Sequence, residues 1–205
     1  MDKRFMRPIR VVVGMSGASG AALGQQIVRR LADEGGIEVH LIISGAAEKT
    51  LAHEVGPDAL VETAEMAHRV YEPGEIGATI ASGSFPTDGM IVAPCSIRTL
   101  SAIANSLNDT LLIRAADVHL KERRRLVLGV RETPLHLGHL DLMRRATQSG
   151  AIIFPPVPPF YMARSMREVI DQTACRMIDL LGLPVARLAQ DWQGLDAERS
   201  VRQGL

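Results

Sequence analysis

Cysteine is scarce in this chain: among 205 residues only Cys95 and Cys175 occur. Two thiols exclude a disulfide framework and a four-ligand zinc site. They suit a reducing compartment, where each reads as a small buried hydrophobe. An excess of one charge is also missing, because 23 Lys and Arg residues balance 23 Asp and Glu residues. That balance argues against a polyelectrolyte binder and against an acidic tail, so no nucleic-acid partner is expected. A neutral chain is poorly protected from self-association, which suits an oligomer. Long apolar runs are absent as well. Residues 1–8 are charged and no signal-peptide core follows them, while the apolar run from Ile9 to Val13 is too short for a membrane span. A cytoplasmic protein with no membrane partner is the expectation. Metal-ligand spacing is missing too. His53, His68, His119, His136 and His139 are scattered, and His136 and His139 lack a convincing third ligand, so no metal is expected.

What the chain does have is the rhythm of an α/β protein. Residues 9–13 are rich in β-branched side chains and end in glycine, as a buried strand does. Residues 14–20 form a loop of small side chains. Residues 21–32 carry Leu23, Ile27, Val28 and Leu31 at helical spacing, and residues 39–43 form a second strand. Further strands are expected at 89–93, 125–130 and 151–154, the third of these five ending at Pro94, and helices at 46–55, 99–106, 111–120, 139–149 and 167–181. The alternation predicts a single Rossmann-like, doubly wound domain over 9–190, with a mostly parallel sheet and helices on both faces. Residues 1–8 are then an N-terminal extension and 191–205 a polar tail over the surface or over a neighbour. Every candidate site loop follows the C-terminal end of a strand, the edge where open parallel sheets bind ligands.

Five segments bear chemistry. The loop Gly-Met-Ser-Gly-Ala-Ser-Gly at 14–20 lets backbone N–H groups approach an anion at a helix start, with the hydroxyls of Ser16 and Ser19 as further donors. Its glycine spacing favours a mononucleotide phosphate over a dinucleotide, and a tight packing turn is the plain alternative. Pro-Cys-Ser-Ile-Arg-Thr at 94–99 offers a second helix start, or simply N-capping by Ser96 or Thr99. The basic run 114–125 places Lys121 either toward an anionic ligand or on a solvated helix end. Arg131 and Glu132 follow a hydrophobic strand, where such charges need partners. Arg131 suits a phosphate or ring carbonyl and Glu132 suits proton transfer, and a structural ion pair is the alternative. Residues 154–161 hold four prolines among aromatics, a stiff wall ending in a phenol.

These motifs, taken in order, resemble the UbiX-type flavin prenyltransferases. The resemblance rests on the loop at 14–20, Ser-Gly-Ser-Phe at 82–85, Pro-Cys-Ser-x-x-Thr-Leu at 94–100 and Arg-Ala-Ala-Asp-Val-x-Leu-Lys-Glu-Arg-Arg at 114–124. Arg-Glu-Thr-Pro-Leu-His at 131–136 and the proline-aromatic stretch at 155–161 complete it, so that it runs from about Ile9 to Trp192. It implies a metal-independent transfer of a dimethylallyl group from dimethylallyl phosphate to reduced FMN, in a homo-oligomer, a dodecamer with flavin at subunit interfaces. The product, prenylated FMN, serves a UbiD-type decarboxylase. By the same resemblance Gly17, Ala18, Ser19, Ser44, Ser96, Ile97, Arg98, Thr99 and Arg131 hold FMN. Lys121, Tyr161 and Arg176 grip the allylic phosphate together with Ser19. Glu54 and Glu132 are the acid/base carboxylates, and Trp192 covers the site. One stretch departs from the family pattern: residues 160–165 lack the proline that usually follows Phe-Tyr and run one residue short. Two other classes remain as alternatives, an FMN-dependent decarboxylase of the peptidyl-cysteine type and a non-catalytic flavin carrier. The first lacks its Pro-x-Met-Asn motif here.

Overall fold

The computed structural model describes residues 7–160, 163–192 and 194. Strands β1 (Ile9–Met15), β2 (Ile37–Ile43), β3 (Arg69–Tyr71), β4 (Gly89–Cys95), β5 (Leu126–Val130) and β6 (Ile152–Ile153) make one sheet in the order β3-β2-β1-β4-β5-β6. Every pairing is parallel, which sharpens the expected "mostly parallel" sheet. The connecting helices are α1 (Ala21–Asp33), α2 (Gly45–Glu54), α3 (Ala59–Glu65), α4 (Ile97–Ala104), α5 (Leu111–Lys121), α6 (Leu137–Gln148) and α7 (Met166–Asp179). Strand order reverses between β1 and β4, so a crevice opens there beyond the strand ends.

Both faces of the sheet are covered, and the strand period of two sorts the core into halves. Val11, Val13, Met15, Ile91 and Ala93 pack with Ile27 and Leu31 of α1, Leu51 of α2 and Met177 of α7. Val12, Met90, Val92 and Leu128 pack with Leu100 of α4, Leu111 of α5 and Ala146 of α6. α1 and α7 are also clamped by charge, since Arg30 donates to both carboxylate oxygens of Asp171 at 2.7 Å and Gln26 adds a third bond. Both cysteines are buried, and burial pushes the Cys95 thiol up to about 12, so it stays protonated and unreactive.

Two differences from the sequence reading have physical causes. β4 does not stop before Pro94. It continues to Cys95, and its pairing with β5 shifts register between Val92 and Cys95, so the missing proline N–H falls where the ladder is already interrupted. α3 and β3 were not expected at all. β3 has three residues, of which only Tyr71 is buried, too few to display a period. Tyr71 is fixed by His40 on β2, whose Nδ1 lies 2.9 Å from the phenol oxygen, and the phenol lies 3.2 Å from Thr79 Oγ1.

His119 on α5 is a second buried imidazole. Its Nδ1 lies 2.7 Å from the Ala115 carbonyl oxygen, so Nδ1 carries the hydrogen, and its Nε2 lies 2.9 Å from Thr87 Oγ1. Burial is the main force lowering its pKa to about 4, and burial does the same for His40. In each case the unfolded chain binds a proton near pH 6.5 that the native state refuses. Stability is therefore lost as pH falls from about 6.5 to about 4 and changes little from this source below that. We expect His119→Gln to lower stability at pH 7 by about 1–3 kcal/mol through broken buried hydrogen bonds, yet to flatten the loss between pH 6.5 and 4. Denaturant melts across that range measure both, and an unchanged slope would contradict this role for His119.

Candidate active site

The site is built along the C-terminal edge of the sheet, where four loops are stitched side by side. Ser16, 2% exposed, is the central stitch. Its backbone N–H and its hydroxyl both donate to the Pro94 carbonyl (3.1 and 3.0 Å), and its Oγ accepts from the Ser96 N–H at 2.8 Å. The loops after β1 and β4 are thereby locked together at the crevice. On one side, the Ser44 N–H donates to the Met15 carbonyl at 3.0 Å; on the other, the Arg131 N–H donates to the Cys95 carbonyl at 3.0 Å. The sequence reading offered Ser16 as a ligand donor; in the fold its hydroxyl is committed to this junction. Gly17 is required by close approach, because a Cβ there would fall on Ala46 Cβ at the start of α2.

The helix starts behave as the sequence allowed, with capping the dominant use. Ser44 Oγ caps α2 by accepting from the Ala47 N–H, and Ser96 Oγ caps α4 by accepting from the Thr99 N–H. Ser96 also donates to Thr99 Oγ1 at 3.1 Å. Arg98 points along the surface to Asp109, 2.5 Å away. The start of α1 has no side-chain cap from its own Gly20. Glu54, the last residue of α2, fills that role: its carboxylate accepts from the N–H groups of Gly20 (2.9 Å) and Ala21 (2.8 Å). Burial alone would raise its pKa, but those two donors and the Ser19 hydroxyl outweigh it and hold the carboxyl below its ordinary range. Glu54 is thus an ionised cap on the α1 dipole, at the helix start that the sequence offers to a phosphate.

A cleft of about 680 Å³ opens beside this edge, lined among others by Ser19, Arg131, Glu132 and the proline wall Pro155 to Pro158. Glu132 is exposed and accepts from the Thr133 N–H at 3.0 Å. Neither Arg131 nor Glu132 forms an ion pair with a described residue, so the structural pairing offered as an alternative is not made and both charges face the cleft. A second cavity of about 450 Å³ holds Arg176 and Trp192, and it shares Val157 and Thr173 with the first. The segment leading to Trp192 is tied to α7, with the Leu188 and Ala189 N–H groups donating to Asp179 and the Gln190 N–H to Gln172. Tyr161 lies outside the described residues.

Lys121 does not join this group within one chain. It ends α5, which precedes β5, and so stands at the opposite edge of the sheet, paired with Glu122. In a parallel sheet the end of a helix that leads into a strand lies at that strand's N-terminal edge, so this placement follows from the order α5, Lys121, β5. The junction role of Ser16 and the capping role of Glu54 were not legible, because both act through hydrogen bonds to residues 33 or more positions away. Among the described residues no group of three or more His, Cys, Asp or Glu side chains is placed to hold a metal. No described helix is long and apolar enough to cross a membrane.

The donor set does fit a mononucleotide cofactor. Ser19 and the guanidinium of Arg131, which makes no ion pair with a described residue, line the cleft, and the starts of α2 and α4 with their main-chain N–H groups and the Ser44 hydroxyl stand on the same sheet edge. Such a fold with such an edge defines a nucleotide-binding α/β flavoprotein, and residues 2–162 match the Flavoprotein family. The chain is 49% identical over 187 residues to flavin prenyltransferase UbiX of Thauera aromatica, covering 91% of this chain and 95% of that protein. The solved structure of AnUbiX in complex with FMN and dimethylallyl pyrophosphate superposes with a TM-score of 0.85 at 44% identity, covering 92% of this chain and 99% of that one. A dodecameric FMN-dependent UbiX-like decarboxylase from Escherichia coli O157:H7 superposes equally well (TM-score 0.85, 40% identity, 91% of this chain and 100% of that one). The chain belongs to the UbiX flavin prenyltransferase family.

Proposed function

We propose that this chain transfers a dimethylallyl group from dimethylallyl phosphate to reduced FMN, and that the prenylated FMN so formed serves a UbiD-type decarboxylase. The observation that carries the reading is the convergence of Ser19, Arg131 and Glu132 in one cleft at the β1/β4 crevice, with Arg176 and Trp192 in the cavity adjoining it. Reduced FMN supplies the nucleophilic ring atoms, N5 and then C6. In the donor the bond between the allylic carbon and the phosphate oxygen breaks and phosphate leaves with the electron pair, while N5 gives up its proton as it takes the allyl group; in ring closure the prenyl double bond takes up one proton as its substituted carbon bonds to C6, and C6 releases its ring proton.

The chain's own groups have work at each stage. Gly17 to Ser19, Ser44, Ser96 to Thr99 and Arg131 bind the flavin through backbone N–H groups, hydroxyls and one guanidinium. Ser19, Tyr161, Arg176 and Lys121 stabilise the phosphate as negative charge grows on it, which lowers the barrier electrostatically. Lys121 stands at the far sheet edge of its own chain, so it serves the cleft of another copy. The homo-oligomer, a dodecamer as in the E. coli relative, is then part of the site. Glu132, exposed at the cleft and in no ion pair with a described residue, accepts the ring proton. Glu54 is the second carboxylate of the site, already ionised on α1. Trp192 and the proline wall keep water from the allylic cation, which water would otherwise capture. Two buried, reduced thiols agree with a cytoplasmic setting.

Anaerobic incubation of the protein with reduced FMN and dimethylallyl phosphate, followed by the mass of the flavin, tests the reading. A gain of one five-carbon unit is expected. Bound but unmodified flavin with both the monophosphate and the diphosphate would overturn it in favour of a carrier or a decarboxylase. Glu132→Gln is expected to keep FMN affinity within a few-fold and to slow ring closure by roughly 10²–10⁴. Normal turnover by that variant in single-turnover absorbance traces would remove Glu132 from the role of base.

A further inference from the structure

The Ser-Gly-Ser-Phe motif at 82–85 lies away from the cleft, yet the fold holds it with unusual care. Arg124 donates to the Gly83 carbonyl at 2.5 Å, to the Phe85 carbonyl at 2.9 Å and to Thr87 Oγ1 at 3.0 Å. Arg114 donates to the Ala81 carbonyl at 3.2 Å. The Phe85 ring is held under the Arg10 guanidinium, 4.6 Å from its centroid, and edge-on to His40. The hydroxyls of Ser82 and Ser84 lie 2.8 Å apart and close the turn on itself. Neither hydroxyl needs a ligand to explain its place.

What this clamped turn touches is Lys121. A Cβ on residue 83 would fall on Glu122 Oε1 and would stand 2.7 Å from Lys121 Nζ. The bare Cα of Gly83 therefore forms one wall of the space in which the Lys121 ammonium sits, and Glu122, its ion-pair partner, forms another. The α5 carbonyl end, beneath Lys121, favours a cation at the same spot. A lysine on a flexible four-carbon stem has little preorganisation of its own. Here it is confined on one side by the clamped turn and on another by Glu122.

We infer that the turn 82–85, clamped by Arg124 and left without a side chain at Gly83, is a positioning element that fixes the ammonium of Lys121 for the phosphate of the prenyl donor. The inference rests on the phosphate-gripping role proposed above for Lys121. It makes Gly83 and Arg124 positioning residues that act through Lys121.

Gly83→Ala is the direct test. Residue 83 has no left-handed φ, so alanine meets no backbone strain and displaces only the flexible ends of Lys121 and Glu122. The KM for dimethylallyl phosphate, kcat, and the FMN dissociation constant are measured for wild type, Gly83→Ala, Arg124→Lys, Lys121→Ala and the Gly83→Ala/Lys121→Ala double variant. Gly83→Ala and Arg124→Lys are expected to raise the donor KM by roughly 10- to 100-fold, the scale of a misplaced binding group. FMN affinity stays within about twofold, a split that general loosening of the fold would not produce. In the double variant Gly83→Ala adds nothing to Lys121→Ala, as two residues acting through one contact require. Should Gly83→Ala fail to fold, Arg124→Lys carries the test alone. A wild-type donor KM in these positioning variants, with Lys121→Ala impaired, would overturn the inference and leave the proposed function standing. A wild-type donor KM in Lys121→Ala itself would overturn both the grip assigned to Lys121 and the inference built on it.

Discussion

The hydroxyl of Ser16 is the constraint on which the site depends. It lies at the place in the sheet where the strand order reverses, between β1 and β4, and it joins the two loops that flank the crevice. A serine can do this because it donates one hydrogen bond and accepts others at the same oxygen. The Pro94 carbonyl needs two donors, the Ser96 N–H needs an acceptor, and Ser16 satisfies both from a buried position. From that junction the neighbouring loops are reached by one backbone bond each, Ser44 to Met15 and Arg131 to Cys95. Four loops far apart in sequence become one surface, and the spacing of the groups facing the cleft follows from the spacing of the strands beneath.

The charges of the site are arranged around that frame. Glu54 is held ionised on the α1 dipole by main-chain donors. Arg131 and Glu132 line the cleft with no ion-pair partner among the described residues, while Arg98, in the first turn of α4, is paired with Asp109. The cation of Lys121 stands at the other sheet edge, under a clamped turn. Under the function proposed above, one chain carries the flavin cleft on one edge and the cation for the donor phosphate on the other, and assembly is what brings the two together.

Much of the fold could be read from the sequence where local period speaks. β1, α1, β2, α5 and α7 were placed within a few residues, because Val11 to Val13, Leu23 to Leu31 and their counterparts repeat at two or three to four positions over enough length. The stretch 56–88 stayed silent, since α3 has seven residues and β3 three, with Tyr71 anchored by a histidine on another strand rather than by a pattern of its own. Pro94 read as a strand end although β4 runs through it, because a register shift cannot be seen in one strand alone. The cleft residues Ser19, Arg131 and Glu132 were legible as residues following strands. The work of Ser16, Glu54 and Arg124 was not, since each acts on backbone atoms of a segment distant in sequence.

The Ser16 junction, and not the sheet alone, holds the flavin site in shape. Ser16→Ala tests it by FMN titration with a parallel thermal melt. A folded protein is expected, with a lowered melting temperature and FMN affinity weaker by roughly tenfold or more, the scale expected when one buried hydroxyl leaves its partners unsatisfied. FMN binding as tight as wild type, in a variant destabilised by the same loss, would show that the loops keep their arrangement without it and would contradict the account.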